Sequence, residues 1–216
     1  MSKSPNYSVP EQHFGTESPF LVEETIKGSR FITRTIFAPE VASAKAFIKY
    51  LNQIEPEATH HCWAYIVGNP NSTTLMACSD DGEPSGTAGM PMLNVLKYGE
   101  IGDICTVVTR YYGGTKLGTG GLARAYGGGV KLALDLIPTQ ERVFTEQLKL
   151  SCAYDLQNQI DYLLKEHSAT INQVDYAEAV DFQVEVPQDQ LQSLLAAFEA
   201  YQNKNQLEVI HVLSSN

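Results

Sequence analysis

The chain predicts an α+β fold in two domains, on three observations. Strand-like and helix-like stretches follow one another without the regular alternation of a parallel α/β protein. The last third reads strand, helix, strand, strand, helix, strand, which is the split βαβ or ferredoxin-like order. Between the two parts Ile137-Pro138-Thr139-Gln140 interrupts the pattern, and the charge changes there. Residues 1–139 hold 11 Lys/Arg and 13 Asp/Glu (−2), and residues 140–216 hold 4 and 12 (−8). The expected organisation is a flexible arm over 1–19, an α+β domain over 20–138 and a ferredoxin-like domain over 140–216.

The elements follow from local pattern. Met1 to Pro19 is polar, with three prolines and no periodicity, and reads as a loose arm. Phe20–Ile26 and Ser29–Phe37 alternate apolar and polar residues around Lys27-Gly28, a β-hairpin signal. Ala38-Pro39-Glu40 opens a helix whose buried face is Val41, Ala44, Phe47, Ile48 and Leu51. His60–Val67 and Thr73–Cys78 read as strands joined by the turn Gly68-Asn69-Pro70-Asn71. Ser79–Gly89 is a loop, Met90–Tyr98 a short helix, and Ile104–Val108 a buried β-branched strand. Gly113–Gly121 is a loop, and Leu122–Leu136 has helical spacing. Beyond the break come strands over Val143–Ala153, Thr170–Tyr176, Ala179–Val186 and Leu207–Leu213, with helices over Leu156–His167 and Gln188–Tyr201.

Composition narrows the function classes. With 43% hydrophobic and 19% charged residues in 216, the chain can build real cores and lacks a disordered signature. A net charge of −10 argues against gripping nucleic acid with the whole surface. Cys62, Cys78, Cys105 and Cys152 form no CxxC pair, so neither disulfides nor a structural zinc site is expected. The N-terminus has no apolar signal-peptide core, and no window approaches a membrane span; a cytoplasmic location without membrane partners is the expectation.

The chain is organised around Ile104–Lys131, ICTVVTRYYGGTKLGTGGLARAYGGGVK, where eight of sixteen glycines fall between Gly113 and Gly129. Glycine is costly to order, so this density signals backbone shapes or close approaches that other residues forbid. Strand, glycine loop and helix N-terminus together make an anion cradle. It is not a Walker A loop, because no Gly-Lys-Ser/Thr follows the glycines, nor a dinucleotide fingerprint, because Gly118, Gly120 and Gly121 do not fit the G-x-G-x-x-G spacing. Met90–Lys131 carries Lys97, Arg110, Lys116, Arg124 and Lys131 against Glu100 and Asp103, a local charge of +3 on an acidic protein. Such an island suits an anionic ligand; the competing reading is a helix packed tightly on a sheet with solvated cations.

The motif RYYGGTKLGTGGLARAY at Arg110–Tyr126, preceded by SDDGEPSGTAGMP at Ser79–Pro91, resembles the IMPACT/YigZ family. The resemblance is detailed over about Gly15–Pro138, and the tail resembles the small C-terminal domain of the bacterial branch. It implies a first domain like the second domain of ribosomal protein S five. It also implies a ferredoxin-like second domain similar to the last domain of elongation factor G. Eukaryotic members are linked to translational control through a regulator of an initiation-factor kinase. They carry a different extra domain that the chain lacks, so that particular role is not expected of it.

The candidate ligand-binding residues are Asp80, Asp81, Glu83, Arg110, Tyr111, Tyr112, Lys116, Thr119, Gly120, Gly121 and Arg124. Asp80, Asp81 and Glu83 either hold Mg²⁺ or bond local amides, and Asp81 or Glu83 has the alternative of pairing with Arg110 or Arg124. The adjacent residues Tyr111 and Tyr112, like His60 and His61, must face opposite ways on a strand. One tyrosine is thereby free to stack on a base or peptide. No catalytic set assembles from the spacing.

The expected function is therefore a translation-linked regulatory or binding protein. It would engage RNA, a ribosome-associated element or a protein partner through the glycine-rich basic surface, with no cofactor and no DNA specificity. The alternative is an enzyme of phosphorylated or nucleotide substrates with Mg²⁺ at the acidic loop.

Overall fold

A computed structural model describes residues 6–71 and 75–212, which form two units, one over Tyr7–Arg142 and one beyond Val143. In the first unit, strands β1 (Tyr7–Pro10), β2 (Phe20–Ile26) and β3 (Ser29–Phe37) precede helix α1 (Val41–Ile54). Then come β4 (His60–Ile66), β5 (Met76–Ser79), α2 (Gly89–Tyr98), β6 (Ile104–Tyr111), α3 (Thr119–Leu136) and β7 (Thr139–Arg142). Five strands make one antiparallel sheet in the order β2-β3-β6-β4-β5, with β6 at its centre.

The pleat divides this sheet cleanly. Cys62, Ala64, Ile66, Ile104 and Val108 face the core made with α2 and α3. Tyr65, Val67, Cys105 and Val107 face the other core, which Phe47 and Leu51 of α1 close. The same alternation carries His60, Arg110 and Tyr112 towards the side of α2 and α3. Helix α3 lies close to the sheet because Gly129 meets Thr33, where a Cβ would stand 2.5 Å from Oγ1. Tyr126, fully buried, sets its ring edge-on to Phe31 at 5.4 Å.

Three differences from the sequence reading matter. The expected arm over 1–19 is corrected from Tyr7 onward, since β1 pairs antiparallel with β7, from Tyr7 opposite Arg142 to Pro10 opposite Thr139. Asp103 anchors this ribbon: its carboxylate accepts from Tyr7 Oη at 2.9 Å and from Gly68 N–H at 2.7 Å, and it pairs with Arg142. The units accordingly divide after Arg142 rather than at Pro138. Second, α3 begins at Thr119, not Leu122, so Thr119, Gly120 and Gly121 are its first turn and not loop. Third, the strand expected over Thr73–Cys78 is Met76–Ser79, with residues 72–74 outside the described ones.

The second unit contains β8 (Thr145–Cys152), α4 (Gln157–Glu166), β9 (Thr170–Tyr176), β10 (Val180–Pro187), α5 (Gln188–Gln202) and β11 (Leu207–Val212). Its sheet order β11-β8-β10-β9, antiparallel throughout, is the ferredoxin-like arrangement that the element order predicts. Leu148, Leu150, Phe182 and Val184 of the sheet meet Ile160, Leu164, Leu194 and Phe198 of the helices. Each large side chain buried there contributes about 2–3 kcal/mol.

Candidate functional site

The first unit carries an open cleft of about 500 Å³ between the start of α3 and the end of the central sheet. Its floor is Arg110, Glu83 and His60. Thr59, Pro84, Tyr112, Lys116, Leu117, Gly118, Thr119 and Leu122 complete its lining.

Arg110 ends the central strand and is only 5% exposed. Its Nη1 donates to Glu83 Oε1 at 2.5 Å and its Nη2 to Ser29 Oγ at 3.3 Å. Its Nε–H has no partner among the described residues. The guanidinium carbon stands 5.4 Å from the ring centres of both Phe31 and Tyr112. Glu83 also accepts from Tyr126 Oη at 2.8 Å. A buried carboxylate with one cation and one hydroxyl on it is a satisfied group, held in place rather than free.

The turn Asp80–Glu83 presents that carboxylate. Asp81 and Gly82 both have positive φ, +43° and +84°, and Glu83 N–H returns to Asp80 C=O at 2.9 Å, the type I′ arrangement. The Asp81 carbonyl then accepts from His60 Nδ1 at 2.8 Å. His60 Nε2 is left towards Glu83 Oε1 at 3.8 Å, beyond hydrogen-bond reach. His61, pointing the other way, is held by Thr109 Oγ1 at 3.0 Å and the Glu55 carbonyl at 3.1 Å, a structural histidine.

The acidic loop does not offer itself to Mg²⁺. Asp80 Oδ1 accepts from Ala88 and Gly89 N–H, at 2.9 and 2.8 Å, and Oδ2 from Gly86 N–H at 2.8 Å. It thereby caps the start of α2. Burial opposes ionisation of Asp80, but the three amides outweigh it and hold its carboxyl below the usual range. Asp81 Oδ2 takes His61 N–H at 2.6 Å, and Glu83 takes Arg110. Among the described residues no group of three or more His, Cys, Asp or Glu is placed to hold a metal. The metal reading of this loop is corrected by that geometry: the oxygens serve backbone amides and a buried cation. Cys62 donates to the Asp80 carbonyl at 3.0 Å, and burial pushes its thiol up to about 12, so it is no ready nucleophile.

Of the candidate residues, Glu83, Arg110, Tyr112, Lys116 and Thr119 come together in the cleft. Asp80 and Asp81 stand behind it as positioning groups. Tyr111 faces away, with the Arg30 guanidinium 4.5 Å over its ring. Gly120, Gly121 and Arg124 sit in the first turns of α3, and Arg124 Nε donates to the Gly120 carbonyl at 3.1 Å. Among the described residues no side chain caps that helix, whose N-cap Gly118 has φ +75°. The sequence reading did not select His60, Leu117, Leu122 or Tyr126. Strand alternation pairs His60 with Arg110, directly opposite on β6, and was the available signal for it. Leu117, Leu122 and Tyr126 carry only a packing signature.

Fold and site together define a class: a two-unit α+β protein whose first unit opens a cation-lined cleft beside an uncapped, glycine-started helix. The chain matches the Impact N-terminal domain over residues 27–134 and the Domain of unknown function (DUF1949) over 150–199. It is 44% identical over 170 residues to the IMPACT family member YigZ of Escherichia coli, covering 79% of this chain and 83% of that protein. It is 40% identical over 164 residues to YvyE of Bacillus subtilis, covering 76% and 75%. A solved structure described as a hypothetical protein aligns over 98% of this chain and 99% of its own, at 37% identity and a TM-score of 0.65. The chain belongs to the IMPACT family. Among the described residues no helix is long and apolar enough to cross a membrane.

Proposed function

We propose that the chain is a translation-linked binding protein whose first unit engages an anionic partner, RNA foremost, through the exposed Tyr112–Arg124 segment. One observation carries this reading. Arg34, Arg110 and Arg142 are each committed to a carboxylate, of Glu55, Glu83 and Asp103 respectively. Lys116 and Arg124 are exposed and have no acid within 4.0 Å among the described residues. These two cations, free of ion pairs among the described residues, lie beside the α3 N-terminus, whose partial positive charge adds to theirs. The link to translation rests on the family, through its eukaryotic members' place in translational control.

The charge balance supports a local rather than a global grip. The chain as a whole carries −10, whereas Met90–Lys131 carries +3, so a polyanion is attracted locally against an acidic background. A single-stranded RNA of about 20 nucleotides is the first partner to try, by fluorescence anisotropy at low salt. Binding that the K116A/R124A variant loses supports the reading. Binding that the variant retains in full removes this segment from the account.

A further inference from the structure

We infer that the cleft takes one unstacked ribonucleotide of such an RNA, with its 2′-hydroxyl donating to His60 Nε2. This deepens the RNA reading and rests on it. The base lies on Tyr112 and the phosphate at the start of α3 beside Lys116.

The assignment starts from His60. A carbonyl oxygen only accepts, so the Asp81 carbonyl at 2.8 Å fixes the proton on Nδ1. With that proton on Nδ1, an uncharged ring carries its lone pair on Nε2, which has no hydrogen-bond partner among the described residues, and His60 lines the cleft. The site therefore holds an acceptor without a donor on it beside the cations of the lining. An occupant that brings a hydroxyl as well as an anion satisfies both. A simple carboxylate or a phosphodiester group, neither of which can donate, satisfies only half of this.

Charge then orients the occupant. Glu83, 3.8 Å from His60 Nε2, repels an anionic group from that end. Lys116 and the uncapped amides after Gly118 attract it to the other. Cations outnumber acids in the cleft lining, Lys116 and Arg110 against Glu83, and the buried Arg110 Nε–H is without a partner among the described residues. The platform is also ready. Tyr112 is 47% exposed and has the Arg110 guanidinium 5.4 Å from its ring centre, the cation–aromatic arrangement on which bases stack. Leu117, Leu122 and Pro84 supply an apolar wall. About 500 Å³ admits a single nucleotide and no duplex.

The test compares three adenylate hexamers that differ only at the 2′ position: ribo, deoxy and 2′-O-methyl, the last unable to donate. Titrated into the full chain, the ribo form should bind about tenfold more tightly than either of the others. H60F should abolish the difference between the ribo and deoxy forms. Y112A should weaken all three by about tenfold or more. Equal affinity of ribo and deoxy hexamers for the unmodified protein overturns the hydroxyl assignment, whatever H60F does. The RNA reading survives that result if K116A/R124A still abolishes binding. Failure of every hexamer, together with failure of the longer RNA, overturns both.

Discussion

Replacing Glu83 with Ala tests the floor of the cleft. The Glu83 and Arg110 side chains are 3% and 6% exposed, so solvent screens their pair little. E83A leaves the Arg110 guanidinium buried without its carboxylate and Tyr126 Oη without its acceptor. Breaking a buried pair from one side costs about 3–5 kcal/mol. For a unit of this size, at about 3 °C per kcal/mol, the melting temperature falls by roughly 9–15 °C. The assay is urea unfolding followed by the fluorescence of Trp63, the single tryptophan, which lies in β4 of the first unit. E83A/R110M, which removes both charges, should recover more than half of the loss. A cost below about 1 kcal/mol for E83A, the scale of an exposed pair, would refute a buried floor.

Three further outcomes follow from the same geometry. D103N should loosen the β1–β7 ribbon at a cost of about 1–3 kcal/mol, seen as faster proteolysis near Tyr7, because it removes the buried carboxylate that Tyr7, Gly68 and Arg142 share. Asp80 has a folded pKa below its unfolded value, so its stabilisation is present above about pH 4 and is lost as pH falls through the lower value. D80N should therefore flatten the acid side of the stability profile. G129A should cost about 1–3 kcal/mol because its Cβ would stand 2.5 Å from Thr33 Oγ1, whereas G128A, with open space around it, should gain about 0.5–1 kcal/mol of helix stability.

How far the sequence reveals this molecule depends on the range of the interaction. The hairpin Phe20–Phe37 and the βαββαβ order were legible, since turn residues and hydrophobic period are local signals. The β1–β7 ribbon was not. Its two four-residue strands lie at opposite ends of the unit, and its anchor, Asp103, reads locally as a turn residue. The early start of α3 was hidden for a related reason. Thr119-Gly120-Gly121 has poor helix propensity, and tertiary packing decides it.

The site shows the same division. Clustered glycines and cations drew attention to the segment that lines the cleft. For Asp80 and Asp81 the sequence left two readings open, and the geometry has their carboxylates on backbone amides. The glycines themselves divide between the two readings of the motif. Gly113 and Gly129 are required by packing, with Cβ positions that would fall 1.9 Å from Gly28 O and 2.5 Å from Thr33 Oγ1. Gly114 and Gly118 stand in open space at positive φ, where they shape the loop over the cleft.

The most direct test of the central claim is the salt dependence of single-stranded RNA binding, measured on the unmodified chain and on K116A/R124A. Each phosphate contact on a single strand contributes about 0.7 to the slope of log affinity against log salt. If Lys116 and Arg124 each meet a phosphate, the double variant should bind more weakly and its slope should be shallower by about 1.4. Equal slopes would mean that these two cations touch no phosphate, which contradicts the account.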